Sequence, residues 1–381
     1  MRRRALLGCA QCAALSTLLG PAASHAQASW LAPPRFERPD LASDEGGLWA
    51  LMDREETRLR RSPFMLRDAG LQKYLQDMAG KLAGTHAPDV RVYPVRTPFF
   101  NASMAPNGMM QVWTGLLLRV DNEAQLAAVV GHEIGHYLQR HTLERLRDVK
   151  SRSAFGMFMS MFGLVGLVGQ MAAIAGAFGF SRDQERQADH IGLALMRQAG
   201  YDTREAAKVW ENLRLELAAV HGGDPSQRSP LFATHPGSAE RSATLAELAA
   251  GDSGGYLGED EHRRALAGFQ AQMLDDELKR GQTNETLALL NRLIERQPER
   301  ADLLYSRGEA RRLRAADGDL ELALADFERA VALGSEPAEC HRALGYLHRS
   351  RDQAERAREA FVRYIDKAPA APDAAMIKSL L

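Results

Sequence analysis

Cysteine is nearly absent from the chain. There are three in 381 residues, and two of them, Cys9 and Cys12, fall in the first dozen positions. If the N-terminal segment is removed, only Cys340 stays, so one mature chain has no pair from which to build a disulfide. Stability must then come from packed cores and any bound metal. An excess of charge of either sign is also missing. With 48 Lys and Arg against 49 Asp and Glu, the net charge is -1, so nothing advertises a nucleic-acid surface. Aromatics are scarce at 7%, and a chain rich in Ala, Leu and Arg favours helix.

Two stretches without charge bear on targeting and on membranes. The first runs from Ala5 to Gly20 behind Arg2, Arg3 and Arg4. It has the layout of an export signal, with Ser24-His25-Ala26 as its small-residue exit, so cleavage after Ala26 and a periplasmic destination are expected. The arginines also fit a twin-arginine route, and Leu6-Leu7-Gly8-Cys9 looks like a short lipoprotein box. The second stretch covers 154–180. It is long enough for a bilayer but carries six glycines. A Gly- and Met-rich flap near the site, a peripheral membrane contact and a true span are its three readings.

The most informative residues are His132-Glu133-Ile134-Gly135-His136. On a helix, His132 and His136 lie one turn apart on one face. Two imidazoles so spaced can converge on one tetrahedral zinc, with Glu133 free to act as a base. Asp121, Asn122 and Glu123 offer a cap and an acidic first turn. Leu126, Ala127, Val129, Val130 and Leu138 continue at helical spacing, and the helix is expected to run to about Lys150. His141, five residues past His136, would rotate off the ligand face. A catalytic zinc wants three protein ligands and one open position. Glu185 on a later helix meets that count. Asp189, one turn on, would accept from the outer nitrogen of a ligand histidine. His235 sits on a loop at the end of this region, able to reach the metal, and His235 or Arg241 could help hold the oxyanion.

Before the zinc helix, three strand patterns flank the turn Pro106-Asn107-Gly108. They predict a small antiparallel sheet. Asn101, Ala102, Ser103 and Met104 are its candidate edge, where an extended substrate could add as a further strand. Beyond a Gly-rich linker at 251–258 the pattern repeats. Phe327 and Phe361 are 34 residues apart, the tetratricopeptide period. Gly308 and Gly345 fit a first-helix glycine, and Leu290 takes the aromatic role in an earlier unit. Three helix pairs over 262–372, with 373–381 as a cap or tail, would stack into a curved sheet of helices.

These motifs resemble the gluzincin family that includes HtpX-type and CAAX-prenyl-type peptidases, above all its periplasmic subgroup of β-barrel assembly-enhancing proteases. The resemblance rests on Asn101-Ala102, Gly131 to His136, Gln139-Arg140-His141, Ser181-Arg182, Glu185 with Asp189, Ile191-Gly192, and Thr234-His235-Pro236 with Arg241. It covers most of 90–245. It implies one Zn2+ on His132, His136 and Glu185, with Glu133 as base. It implies that His235 is a reversible extra ligand holding the enzyme latent. It also implies misassembled outer-membrane proteins as substrates, and the barrel-assembly machinery as a partner of the repeats. One departure is Gln187, where relatives often carry an acid; the helical wheel puts it off the ligand face.

The expected architecture is therefore mainly α with a small antiparallel β-sheet: a signal peptide at 1–26, a zincin-type metalloprotease domain at 27–250, and an α-solenoid of tetratricopeptide repeats at 262–381. Two other functions fit the same residues: a chaperone or adaptor with a latent zinc site, and a membrane-embedded metalloprotease.

Overall fold

A computed structural model describes residues 30–150, 179–219, 235 and 238–381. The expected signal peptide, nearly all of the uncharged stretch 154–180, and the loop before His235 lie outside the described residues. Residues 32–381 make one compact unit.

Two helices, α1 (Asp44–Arg61) and α2 (Ala69–Ala83), open it. Each is capped by a side-chain oxygen, Ser43 on Gly46 N–H and Asp68 on Leu71 N–H. Three strands follow: β1 (Arg91–Val95), β2 (Ala102–Met104) and β3 (Met109–Trp113). The sheet is mixed, which corrects the antiparallel expectation. Its order is β1-β3-β2, with β1 parallel and β2 antiparallel to β3. The Pro106-Asn107-Gly108 turn folds β2 back on β3 as a hairpin. β3 then takes the centre, with Arg91 opposite Met109 and Val95 opposite Trp113. All five β3 residues are buried, as a central strand covered on both faces requires. β2 is left at an edge.

After a short helix α3 (Thr114–Arg119), α4 (Glu123–Leu138) carries the HExxH residues. Asn122 Oδ1 caps it by accepting from Gln125 N–H at 2.8 Å, and every residue from Glu123 to Leu138 is buried. This helix has no solvent face because α2, β2 and two later helices, 182–198 and 205–218, surround it. The expected run to Lys150 is broken. α4 ends at Leu138, Arg140 takes φ +60°, and a separate helix α5 (His141–Lys150) begins. A left-handed residue reverses the chain's local direction, so α5 cannot continue the α4 wheel.

The helix that carries Glu185 is α6 (Arg182–Gln198), started by a reciprocal capping box between Ser181 and Gln184. It crosses α4 with main chain against main chain. A Cβ on Gly131 would lie 3.2 Å from Gly192 O, and one on Gly135 would lie 3.0 Å from Ala188 O. Side chains are thus excluded from the crossing, which lets two short turns face each other across a narrow gap. α7 (Glu205–Ala218) and α8 (Ser238–Ala249) close this part.

Helices α9 (Glu259–Leu266) to α16 (Ala374–Lys378) fill the rest. Two hairpins, α12 (Ala301–Arg314) with α13 (Asp319–Leu333) and α14 (Ala338–Ser350) with α15 (Ala354–Lys367), are built alike. Gly308 lies under the Phe327 ring and Gly345 under the Phe361 ring, and a Cβ on either glycine would come within 2.4 Å of the aromatic carbons. Leu290 of α11 (Thr283–Arg296) joins Leu304 and Phe327 in a shared core. At the end, Ile377 of α16 seals Phe361 and Tyr364.

Candidate metal centre

Four side chains from three directions meet beneath α4. His132 and His136 point their Nε2 atoms at one another, 3.0 Å apart. Glu185, one turn into α6, approaches from across the glycine contact: its carboxylate oxygens are 3.5 Å from His132 Nε2 and 3.4 Å from His136 Nε2. His235 enters last, with Nδ1 3.3 Å from His132 Nε2 and 2.9 Å from Glu185 Oε1. One donor atom from each of the four lies within 4.8 Å of the rest, and all four residues are buried.

This donor set fits zinc. Ligand atoms at 2.0–2.1 Å around a tetrahedral ion stand roughly 3.3 Å from each other, which is the spacing observed. Glu185 Oε2 is also buried with no hydrogen-bond partner; Arg241 Nη1 is 3.0 Å away but out of line. An orphaned buried carboxylate oxygen is costly unless something compensates it, and a cation among these donors does so.

The electrostatics prepare the protonation states that a metal needs. Burial, reinforced by the Arg241 charge, brings His132 down to about 4. Burial likewise holds His136 well below the usual imidazole range. Burial opposes ionisation of Glu185, but His235 and Arg241 outweigh it and keep the carboxylate charged. Glu133 differs. Burial pushes it up to about 7, with His235 and the Met104 backbone N–H pulling the other way. Its Oε1 has no hydrogen-bond partner and stands 3.5 Å from His235 Nε2. A carboxyl balanced near neutrality can both take and return a proton.

Behind the donors, Asp189 Oδ1 lies 2.9 Å from His132 Nδ1. Arg241 holds Asp189 with two bonds, at 2.9 and 2.6 Å, and its guanidinium lies 3.8 Å over the Trp210 ring. That bidentate, stacked placement ties Arg241 to Asp189 and sets its Nη1 beside Glu185. Asn101 is buried beside the sheet, its carbonyl accepting from Trp113 N–H. Ala102, Ser103 and Met104 form β2, which reaches Glu133 through Met104.

Sequence reasoning missed Phe180, Trp210 and Gln187 as contributors, and left His141 either at the surface or behind the ligands. Phe180 stacks on His136 with ring centroids 3.9 Å apart. Trp210 carries Arg241. His141 is buried with Nδ1 2.9 Å from His136 Nδ1, and Gln187 meets its other nitrogen. Helical rotation hid His141, because nothing in the sequence announced the break at Arg140.

A buried HExxH helix crossed by a second helix with a carboxylate ligand defines a zinc metallopeptidase domain. Residues 65–249 match the model of peptidase family M48. Among curated relatives, the chain is 34% identical over 186 residues to the mitochondrial metalloendopeptidase OMA1 of Arabidopsis thaliana, covering 48% of this chain and 37% of that one. It is 28% identical over 247 residues to the beta-barrel assembly-enhancing protease of Yersinia pestis, covering 58% and 49%. The protein of that name from Escherichia coli K12 is 28% identical over 195 residues, covering 47% and 39%. The chain thus spans less than half the length of each of these relatives.

Proposed function

We propose that this protein is an exported, periplasmic zinc-dependent endopeptidase. It would act in the quality control and assembly of outer-membrane proteins, with the helices of 262–381 serving as a tetratricopeptide module. The observation that carries the peptidase reading is the position of Glu133. It lies beside three imidazoles and a carboxylate that fit one zinc, and it is tied by the Met104 backbone to an edge strand. The bound zinc supplies Lewis acidity and a water made acidic near neutral pH. The chain does the rest. β2 lays an extended polypeptide along its open edge. Glu133 accepts the proton from the attacking water and hands it to the leaving amine nitrogen. Arg241 keeps Asp189 and Glu185 ionised and in place.

The place of His235 supports latency, since a fourth donor fills the position a substrate needs. His235→Ala should therefore raise the basal cleavage rate; an unchanged or lower rate would refute the latch. Recruitment by the repeats is supported by the two like hairpins, and the outer-membrane role by the likeness to the assembly-enhancing proteases. No helix among the described residues is long and apolar enough to cross a membrane.

The test is Glu133→Gln. The variant should keep its zinc and lose at least about 100-fold in cleavage of an unfolded barrel protein. If cleavage persists, the catalytic reading fails. If cleavage is lost but outer-membrane assembly in cells is intact, the adaptor reading replaces it.

A further inference from the structure

The two ligand histidines are backed by different chemistry. His132 turns its outer Nδ1 to the Asp189 carboxylate at 2.9 Å. His136 turns its outer Nδ1 to another imidazole, His141 Nδ1, at 2.9 Å. His141 in turn places Nε2 3.2 Å from Gln187 Oε1. We propose that His141 is a positioning residue for His136, fixing its tautomer and ring plane through a neutral His136–His141–Gln187 relay. The inference rests on the zinc reading above and deepens it.

The direction of the relay follows from donor counting. The inward nitrogen of His136 is Nε2, facing His132 and Glu185. An imidazole that ligates through Nε2 carries its proton on Nδ1. That N–H is buried and points at His141, so His141 Nδ1 must be the bare acceptor. The His141 proton then sits on Nε2 and is donated to the Gln187 amide oxygen. Each of the three groups is used in the one sense that leaves His136 Nε2 a lone pair for the metal. A group with an N–H at the His141 Nδ1 position would set two donors face to face.

The fold spends an unusual backbone on this contact. On a continuing helix His141 would stand about 140° around from His136. The stop at Leu138 and the left-handed Arg140 bring it back against the ligand. Phe180 stacked on the other side limits ring rotation. Gln187 ends the relay at the exposed face of α6, so solvent can stand in for it and its own substitution is a poor probe.

The test measures zinc affinity by competition with a chromophoric chelator, with folding followed by circular dichroism. His141→Leu removes the acceptor and should weaken zinc binding by roughly 10–100-fold. His141→Asn puts an amide oxygen where Nδ1 stands and should recover most of that loss. Binding by the Leu variant as tight as wild type overturns the relay. Equal loss in both variants also overturns it, because packing alone would then explain the effect. Should the Leu chain not fold, nitrogen-15 NMR of the zinc-loaded wild type decides the matter. His141 as the neutral Nε2–H tautomer supports the relay; a proton on its Nδ1 overturns it. A wild-type protein that takes up no zinc would instead sink the peptidase reading, which separates the two failures.

Discussion

Arg119 Nη2 lies 2.8 Å from Glu277 Oε1, and both side chains are at most 4% exposed. The pair joins α3, beside the sheet, to α10 (Gln270–Lys279) among the C-terminal helices. Arg119 also holds Glu216 at 2.8 Å, and Glu277 accepts from Arg280 and Thr286. Removing Glu277 leaves Arg119 with Glu216 alone and takes a buried acceptor from Arg280 and Thr286. Glu277→Ala should destabilise the chain by about 3–5 kcal/mol. A urea midpoint unchanged from wild type would contradict this.

Zinc should stabilise the fold as well as serve the chemistry, because its donors come from α4, α6 and the approach to α8. With free zinc about 1,000-fold above its dissociation constant, binding adds about 4 kcal/mol. Chelation should lower the melting temperature, and re-added zinc should restore it. Glu185→Gln should respond far less to either treatment. Identical melting curves with and without chelator would count against the site.

The repeated glycine–aromatic contact predicts an overpacking penalty. Gly345→Ala pushes a methyl to within 2.4 Å of the Phe361 ring. It should cost about 1–3 kcal/mol, and less in a Phe361→Leu background, where the smaller side chain can move aside. Equal cost in both backgrounds, measured by thermal melts of the four chains, would show that the ring is not the obstacle.

Glu56 gives a pH dependence of known sign. Burial works against its ionisation, but Arg91, bound at 2.7 and 2.6 Å, and the Tyr93 hydroxyl at 2.6 Å keep its carboxyl below the usual 4.5. A carboxyl lowered in the folded state stabilises above its unfolded value and loses that contribution as pH falls through the folded one. The stability gap between wild type and Glu56→Gln should be largest near neutrality and shrink below about pH 4. A gap that widens on acidification would reverse the assignment.

How far the chain could be read in advance depended on whether an interaction leaves a periodic mark. The proposed zinc donors did: His132 and His136 obey helical spacing, and Glu185 follows from the ligand count. The strand runs were legible, but strand direction was not. Only the β2–β3 turn has a sequence signature, and nothing in Arg91–Val95 says that it pairs parallel with β3. The end of α4 was hidden because Arg140 takes a positive φ without being Gly or Asn, the residues that usually mark one. Gln187 and Trp210 were therefore invisible as parts of the site, and His141 could be placed only at the surface or behind the ligands. Each belongs to it only through a chain reversal or a helix crossing that brings distant residues together.

The bare crossing of α4 and α6 bears on how this domain tolerates change. Since peptide meets peptide at Gly131, Gly135 and Gly192, the gap between the imidazole pair and its carboxylate is ruled by atoms common to every amino acid. Core side chains elsewhere can be exchanged over many generations while the donors keep their separation. A side chain at any of these three positions would wedge the two backbones apart and widen that gap.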